Sequence, residues 1–198
     1  IKEIDDQVGR LLATLDESGL ADDTLVVYSA DQGFYLGEHG WFDKRWMYEE
    51  SLRMPLIARW PGVIEPGSKP AALVQNIDYA PTFLEVAGLE APDNLHGKSM
   101  LSILKGDTPS NWRDAIYYHY YEFPGPHMVA RHRGVRDERY KLIHFYATDE
   151  WELFDLKEDP QEINNIYGNP SYANVVTHLN ATMSRLANQY NVPAKDPF

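Results

Sequence analysis

Residues 24–46, Thr24-Leu-Val-Val-Tyr-Ser-Ala-Asp-Gln-Gly-Phe-Tyr-Leu-Gly-Glu-His-Gly-Trp-Phe-Asp-Lys-Arg-Trp46, decide how the rest of the chain is organised. The stretch begins with an apolar, β-branched and aromatic run from Leu25 to Tyr28, which predicts a buried parallel strand. Asp31 and Gln32 follow where that strand ends. Because ligands of open α/β sheets bind outside the carboxyl ends of the strands, these two polar side chains are predicted to face a site.

A glycine-rich loop comes next, with glycines at positions 33, 37 and 40, and it presents His39 and Lys44. The side chains of Asp31 and Gln32 supply oxygens of the kind that Ca²⁺ or Mg²⁺ binds. The ammonium of Lys44 suits a phosphate or sulfate group. The residues therefore indicate a cation site beside an anion site, although they also fit a plain turn in which Asp31 shapes the backbone and Lys44 is solvated.

A series of short motifs runs through this region in a fixed order. They are Asp31-Gln-Gly33, Leu36-Gly-Glu-His-Gly40, Lys44, Glu50-Ser51, Arg53-Met-Pro-Leu-Ile57 and Trp60-Pro-Gly62. Their order and spacing resemble the C-terminal part of the catalytic domain of type I sulfatases. The resemblance implies that Asp31 and Gln32 bind calcium and that Lys44 contacts the sulfate in catalysis. Gln32 stands where the family more often has Asn or His, and it keeps an oxygen ligand.

Composition limits the classes of function. The chain has 198 residues, of which 43% are hydrophobic and 24% charged, as in globular proteins. A net charge of −12 argues against a nucleic-acid partner, because binding phosphates needs clustered Lys and Arg. No apolar run approaches the length of a membrane span. With no cysteine, the chain has neither a disulfide framework nor a thiolate metal site.

The first half of the chain is predicted to continue an α/β pattern. Apolar residues at helical spacing predict a helix over the first seventeen or so residues, packed on the sheet and ended by Gly19. Residues 53–60 are predicted to form a second strand, and residues 78–88 a helix with Asp78 as N-cap. Since the first helix lacks a preceding strand, we expect the sequence to start inside a longer protein.

The second half has a different pattern. Four aromatic or alternating segments, within 115–121, 133–136, 140–146 and 151–155, predict an antiparallel meander. Residues 171–190 are predicted to form a terminal helix that buries Val175, Leu179, Met183 and Leu186. With the resemblance, the expected fold class is α/β: the C-terminal portion of an alkaline-phosphatase-like, helix-flanked mixed sheet, followed by a small antiparallel sheet with a terminal helix. The expected boundary separates residues 1–110 from residues 111–198.

Residues 118–132, early in the second half of the chain, mix aromatic side chains with histidine and arginine. Aromatic faces stack on sugar rings, and His and Arg bind hydroxyl or acidic groups, so His127, Arg131 and His132, with His39, are candidate substrate-binding residues. An ordinary aromatic-rich strand pair with a solvated polar edge fits the same pattern. This combination of aromatic residues and histidines is similar to that of N-acetylglucosamine-6-sulfatase-like enzymes.

The sulfatase resemblance implies a mechanism and a cellular setting. A formylglycine nucleophile attacks sulfur while calcium and lysines hold the sulfate, and such enzymes are periplasmic, secreted or lysosomal. Without a cysteine, the cysteine form of this nucleophile is absent from these residues. We therefore expect a sulfated carbohydrate of the glycosaminoglycan type as substrate, a missing N-terminal part of the same protein as partner, and no turnover by these residues alone.

Two alternatives remain at this point. One is a phosphoester or phosphonate hydrolase of the alkaline phosphatase superfamily, which would normally place a zinc- or manganese-binding His at position 32. The other is a non-catalytic carbohydrate-binding module, favoured only if the natural protein begins at Ile1.

Overall fold

The computed structural model describes residues 1–193, which form two compact units. The first unit contains residues 1–31 and 55–112, and the second contains residues 32–54 and the described residues from 113 onward. In chain order the helices and strands are α1 (Lys2–Glu17), β1 (Val26–Ser29), β2 (Tyr35–Leu36), β3 (Phe42–Asp43), α2 (Glu49–Leu52), β4 (Leu56–Arg59), α3 (Tyr79–Val86), α4 (Leu101–Leu104), β5 (Ala115–Tyr120), β6 (His132–Asp137), β7 (Tyr140–Phe145), β8 (Glu150–Asp155) and α5 (Ala173–Gln189).

The strand that precedes the candidate site pairs differently from the prediction. In the first unit β1 pairs antiparallel with β4, with Val26 opposite Arg59 and Ser29 opposite Leu56. Its side chains are only half-buried, and Tyr28 is exposed. The prediction of a buried parallel strand is therefore wrong for the described pairing, because an apolar run does not specify the direction of its neighbour.

Helix α1 forms where the apolar spacing predicts it, and Gly19 follows it with a φ of +67°. No residue of α1 is fully buried, and Val8, Leu12 and Leu15 of its apolar stripe are half-buried, so the predicted packing on the sheet stays a prediction. Ile4 and Leu11 are exposed. The 3.6-residue period thus specifies an apolar helix face without specifying what covers it.

Asp78 directly precedes α3 and is fully buried, yet its side chain does not cap that helix. One carboxylate oxygen accepts the backbone N–H of Gln75 at 2.8 Å, and the other accepts that of Lys98 at 2.9 Å. Gly97, next to Lys98, allows this approach, because a Cβ there would overlap the carbonyl of Ile77. Asp78 therefore joins the loop before α3 to a loop that follows it.

The second unit is built on the predicted antiparallel meander, a four-stranded sheet in the order β5-β6-β7-β8. The alternation of its strands gives the sheet two apolar faces. On one face α5 packs Leu179, Met183 and Leu186 against Val135, Leu142 and Leu153. The terminal helix and its buried positions are confirmed, with Val175 partly buried.

The opposite face of the sheet is covered by part of the central stretch of sequence. Met47 is buried against Ile143, Phe145 and Phe154. Gly134 in β6 makes room for it, because a Cβ at that position would overlap the sulfur of Met47. Residues 32–54 thereby become part of the second unit. No helix among residues 1–193 is long and apolar enough to cross a membrane.

Candidate active site

Asp31 follows β1 in the first unit and lies at a pocket of about 660 Å³. Asn76, from the loop before α3, also lines the pocket and donates from Nδ2 to the backbone carbonyl of Asp31 at 2.8 Å. The residue is exposed, and no hydrogen bond to its carboxylate is found among residues 1–193. The backbone of Asp31 is thus held while its carboxylate stays available to a ligand.

Gln32 and Gly33 begin the second unit, and Gln32 is half-buried. The backbone N–H of Gly33 donates to the carbonyl of Ser51 in α2 at 2.8 Å. A Cβ at position 33 would overlap the carbonyl oxygen of Glu50, so the close approach to α2 requires glycine. This contact fixes the backbone directly after Gln32.

Lys44 lies in a loop, residues 37–46, whose backbone is unusual for residues with side chains. His39, Asp43 and Arg45 have φ values of +54°, +106° and +94°. Such conformations are costly for non-glycine residues and concentrate at functional sites. Lys44 itself is half-buried, and within residues 1–193 its ammonium makes no hydrogen bond or ion pair.

Both neighbours of Lys44 are tied by hydrogen bonds within the second unit. The Asp43 carboxylate accepts from the guanidinium of Arg45 and lies 3.1 Å from Nδ1 of His127. The backbone N–H of Arg45 donates to Ser51 Oγ at 3.1 Å, and its carbonyl accepts the hydroxyl of Tyr118 at 2.7 Å. Burial raises the pKa of Tyr118 to about 12, so this hydroxyl remains a donor at neutral pH.

His39 is engaged inside the second unit. Its ring stacks on Tyr48 with centroids 4.5 Å apart, and its Nε2 lies 3.4 Å from a carboxylate oxygen of Glu50. The Tyr48 hydroxyl in turn donates to Glu152 at 2.8 Å, and burial raises the pKa of that carboxyl. Only 11% of the His39 side chain is exposed. Its predicted contact with substrate stays a prediction.

His132 departs from its predicted role. It is 0% exposed, and its ring stacks between Trp46 and the tyrosines of β5, Tyr118 and Tyr120. Its Nδ1 donates to the carbonyl of Ala130 at 2.8 Å, and burial lowers its pKa to about 4. This burial is at odds with a contact between His132 and a substrate, and it places the neutral ring in the core. A histidine in an aromatic segment has the same sequence signature in either place.

The other two predicted residues of this segment keep exposed surface. Arg131 is half-buried and donates to the carbonyl of Phe123 at 2.5 Å. His127 is 36% exposed and is brought to the Lys44 loop through Asp43. Four further residues around Lys44 were not predicted as site residues: Asp43, Arg45, Ser51 and Tyr118. The run of three charged residues, Asp43, Lys44 and Arg45, was the available signal for the first two.

Comparison with known proteins identifies the family. The model of the family "N-sulphoglucosamine sulphohydrolase, C-terminal" matches residues 37–189. The chain belongs to this sulphohydrolase family.

The relatives of this sulphohydrolase chain are considerably longer than it is. It is 51% identical over 190 residues to an N-acetylglucosamine-6-O-sulfatase of Bacteroides thetaiotaomicron, covering 94% of this chain and 34% of the relative. The chain is 49% identical, with a TM-score of 0.93, to a protein solved in complex with its substrate D-glucosamine-2-N,6-O-disulfate. The match covers 98% of this chain and 40% of that one.

A second solved structure belongs to a phosphonate monoester hydrolase of Silicibacter pomeroyi. The chain is 32% identical to it, with a TM-score of 0.84, and the match covers 98% of this chain and 40% of that one. The chain thus spans about a third of the length of the curated relative. The predicted family and fold class are confirmed.

A buried ion cluster of the sulphohydrolase chain supports the helix next to the Lys44 loop. Lys141 is 0% exposed, and its Nζ lies 2.9 Å from Glu49 and 2.7 Å from Glu162. Glu162 also accepts the backbone N–H of Glu49 at 2.7 Å, while Arg136 approaches the Glu49 carboxylate at 3.4 Å. Burial acts against the ionised form of Glu49, but Lys141 and Arg136 outweigh it and lower its pKa. Helix α2 is therefore anchored at its first residue.

Proposed function

We propose that these residues are the C-terminal part of a sulfuric ester hydrolase that removes sulfate from a sulfated glucosamine. The observation that carries the proposal is the environment of Lys44. Its ammonium has no bonding partner among residues 1–193, while both of its neighbours in the chain are held in place. A fixed cation of this kind stabilises the negative charge that gathers on sulfate oxygens in the transition state.

Calcium is the proposed cofactor, with Asp31 and Gln32 among its ligands. The exposed, unbonded carboxylate of Asp31 and the amide oxygen of Gln32 are hard oxygen donors, which fit calcium chemically. Among residues 1–193, no group of three or more His, Asp or Glu side chains stands ready to hold a metal ion. Since calcium takes six to eight oxygen ligands, the other ligands are proposed to come from outside the described residues. When bound, calcium would supply positive charge beside the sulfate.

The proposed substrate class follows the relatives. The Bacteroides relative is named for N-acetylglucosamine-6-O-sulfate chemistry, and the solved neighbour binds glucosamine-2-N,6-O-disulfate. In this chain Arg131 keeps exposed surface and is proposed to bind the sugar or a second acidic group. His127 also keeps exposed surface, and its predicted contact with substrate stays a prediction. The groups that complete such a site, including the nucleophile, are proposed to lie in a further part of the enzyme. A periplasmic, secreted or lysosomal location is proposed from the family.

A phosphonate monoester hydrolase is the second candidate, because one solved neighbour at 32% identity carries that activity. The residue at position 32 gives one argument between the two. Gln32 offers an amide oxygen, a donor that suits calcium better than zinc or manganese. The sulfatase is the better supported of the two by both Gln32 and the 51% identical relative.

The test uses the product of the complete gene that encodes these residues, with its nucleophile matured. Release of sulfate from a panel of 6-sulfated and 2-sulfated sugars, which includes 6-sulfated N-acetylglucosamine, is measured beside hydrolysis of a phosphonate monoester. The wild type is compared with Lys44→Ala and Asp31→Ala. We expect sulfate release to dominate, and kcat to fall about 10²- to 10³-fold in the Lys44→Ala variant because a transition-state contact is lost. The matched control is Lys105→Ala, an exposed lysine, which should keep the wild-type rate.

Two results would contradict the proposal. Wild-type sulfate release by both Lys44→Ala and Asp31→Ala would show that the central stretch has no part in catalysis. Faster turnover of the phosphonate monoester than of any sulfated sugar would instead establish the second candidate.

A further inference from the structure

The backbone on either side of Lys44 adopts conformations that side chains rarely tolerate. Asp43 has a φ of +106° and Arg45 a φ of +94°. A residue holds such a conformation only where surrounding contacts compensate for it. The contacts of these two neighbours therefore determine how the ammonium of Lys44 is presented.

Arg45 is held from two sides by hydrogen bonds to its backbone. Ser51 Oγ accepts its N–H, and Tyr118 donates to its carbonyl. Ser51 is buried at 4% exposure, and Tyr118 lies in β5 of the regular sheet, so both groups are rigidly placed. The backbone after Lys44 is thus anchored to fixed structure.

Asp43 is held through its side chain instead. Its carboxylate accepts a hydrogen bond from the Arg45 guanidinium, and Nδ1 of His127 lies 3.1 Å from the same carboxylate. The bond between Asp43 and Arg45 closes a short loop around Lys44, but it does not connect that loop to the sheet. His127 lies in the segment between β5 and β6, far from Asp43 in sequence. It therefore supplies a contact to Asp43 from outside the Lys44 loop.

We propose that His127 and Asp43 form a positioning pair that fixes the direction of the Lys44 side chain, an inference that rests on the proposed function of Lys44. The pair is partly exposed, with 36% of the His127 side chain and 33% of the Asp43 side chain accessible. Exposed pairs of this kind contribute little to the free energy of unfolding. Their loss is therefore expected to change the geometry at Lys44 and to leave the fold intact.

This role differs from a direct contact between His127 and the sugar in what it does to the kinetics. A residue that binds ground state and transition state equally raises KM when it is removed and leaves kcat unchanged. A residue that orients Lys44 affects the group that stabilises the transition state, so its removal lowers kcat. The two roles also combine differently with Lys44→Ala, because a residue that acts only through Lys44 has no further effect once Lys44 is gone.

The experiment is a double-mutant cycle in the complete gene product, with sulfate release from 6-sulfated N-acetylglucosamine as the assay. His127→Ala is expected to lower kcat about tenfold with KM changed less than about twofold, since small displacements of a catalytic group are costly. His127→Asn places an amide N–H where Nδ1 stood, and it should restore kcat to within about threefold of the wild type. In the Lys44→Ala background, His127→Ala should change the rate by less than about twofold. His178→Ala, at an exposed position of α5, is the control.

Three other outcomes would contradict the positioning inference, and the last of them would also contradict the proposed function. A raised KM with wild-type kcat, or losses that multiply in the double variant, would make His127 a direct substrate contact and end the positioning inference while the proposed function stands. A lowered melting temperature in His127→Ala with no rescue by His127→Asn would reduce the pair to a structural contact. Wild-type activity of Lys44→Ala alone would remove the proposed function and the inference together.

Discussion

Two lysines of the second unit occupy opposite environments. Lys141 is fully buried, and its Nζ lies within 2.9 Å of two carboxylates, Glu49 and Glu162. Lys44 is half-buried, and its ammonium has no bonding partner among residues 1–193. One ammonium is neutralised by the fold, and the other is proposed to meet a ligand. The difference teaches that a lysine neutralised by buried carboxylates serves the fold, whereas one whose ammonium stays unpaired is a candidate for binding a ligand.

The charges of the buried cluster explain why it is stable. Lys141 and Arg136 balance Glu49 and Glu162, so the cluster has no net formal charge. The balance is not even between the two acids, because burial raises the pKa of Glu162 while the two cations lower that of Glu49. Removing one member therefore leaves a buried charge uncompensated, which is far more costly than losing an exposed pair.

The largest expected effect comes from making the same substitution at both lysines. Lys141→Met should lower the free energy of unfolding by about 3–5 kcal/mol, because it leaves buried carboxylates without their cation. Lys44→Met should change it by less than about 0.5 kcal/mol, as is usual for a substitution that breaks no contact. Urea unfolding followed by circular dichroism measures both values.

A compensated variant sharpens this comparison. Lys141→Met combined with Glu162→Gln should be less destabilised than Lys141→Met alone, since Glu49 keeps Arg136 and no charge remains at position 162. Equal losses in Lys141→Met and Lys44→Met would contradict the assignment of one lysine to the fold and the other to a ligand.

The second prediction concerns pH. Burial lowers the pKa of His132 from 6.5 to about 4, and its hydrogen bonds to backbone carbonyls only partly oppose that shift. As the pH falls below 6.5, the unfolded chain takes up a proton that the folded chain refuses until about pH 4. The stability that His132 contributes is therefore present above pH 6.5 and is lost as the pH falls towards 4. The loss reaches up to about 3 kcal/mol at full linkage.

The measurement is the free energy of unfolding across this pH range for the wild type and for His132→Phe. The variant cannot titrate and should show a shallower dependence on pH, whatever its absolute stability. His178→Phe, at an exposed site, should keep the wild-type slope. An unchanged slope in His132→Phe would mean that His132 is not buried as a neutral ring.

Much of the second unit could be predicted from sequence because its signals are local. Alternation along β5 to β8 fixes which side chains share a face, and the turns between these strands fix their order. Leu179, Met183 and Leu186 mark the buried stripe of α5 by spacing alone. The motif that contains Asp31, Gln32 and Lys44 is also a local signal, and the roles predicted for these residues rest on family resemblance.

What the sequence could not provide depends on contacts between distant residues. Nothing in residues 32–54 signals that Met47 packs over Gly134, or that His132 lies under Trp46 in the core. The pairing of Asp43 with His127 joins segments that no periodicity connects. The antiparallel partner of β1 was missed for the same reason, since an apolar strand is compatible with either direction.

The last prediction, with the smallest expected effect, concerns helix α2, which lies next to the Lys44 loop and pairs with Lys141. Its first residue, Glu49, pairs with Lys141, and its carbonyl groups lie against Gly33 on the other side. Gly33→Ala forces a methyl group onto the carbonyl of Glu50 and should lower the free energy of unfolding by about 1–3 kcal/mol. The matched substitution Gly9→Ala adds a methyl group in open space within α1, and it should raise that free energy by about 0.5–1 kcal/mol. If Gly33→Ala proves as harmless as Gly9→Ala, then α2 yields easily at this point and is not a rigid support for the Lys44 loop.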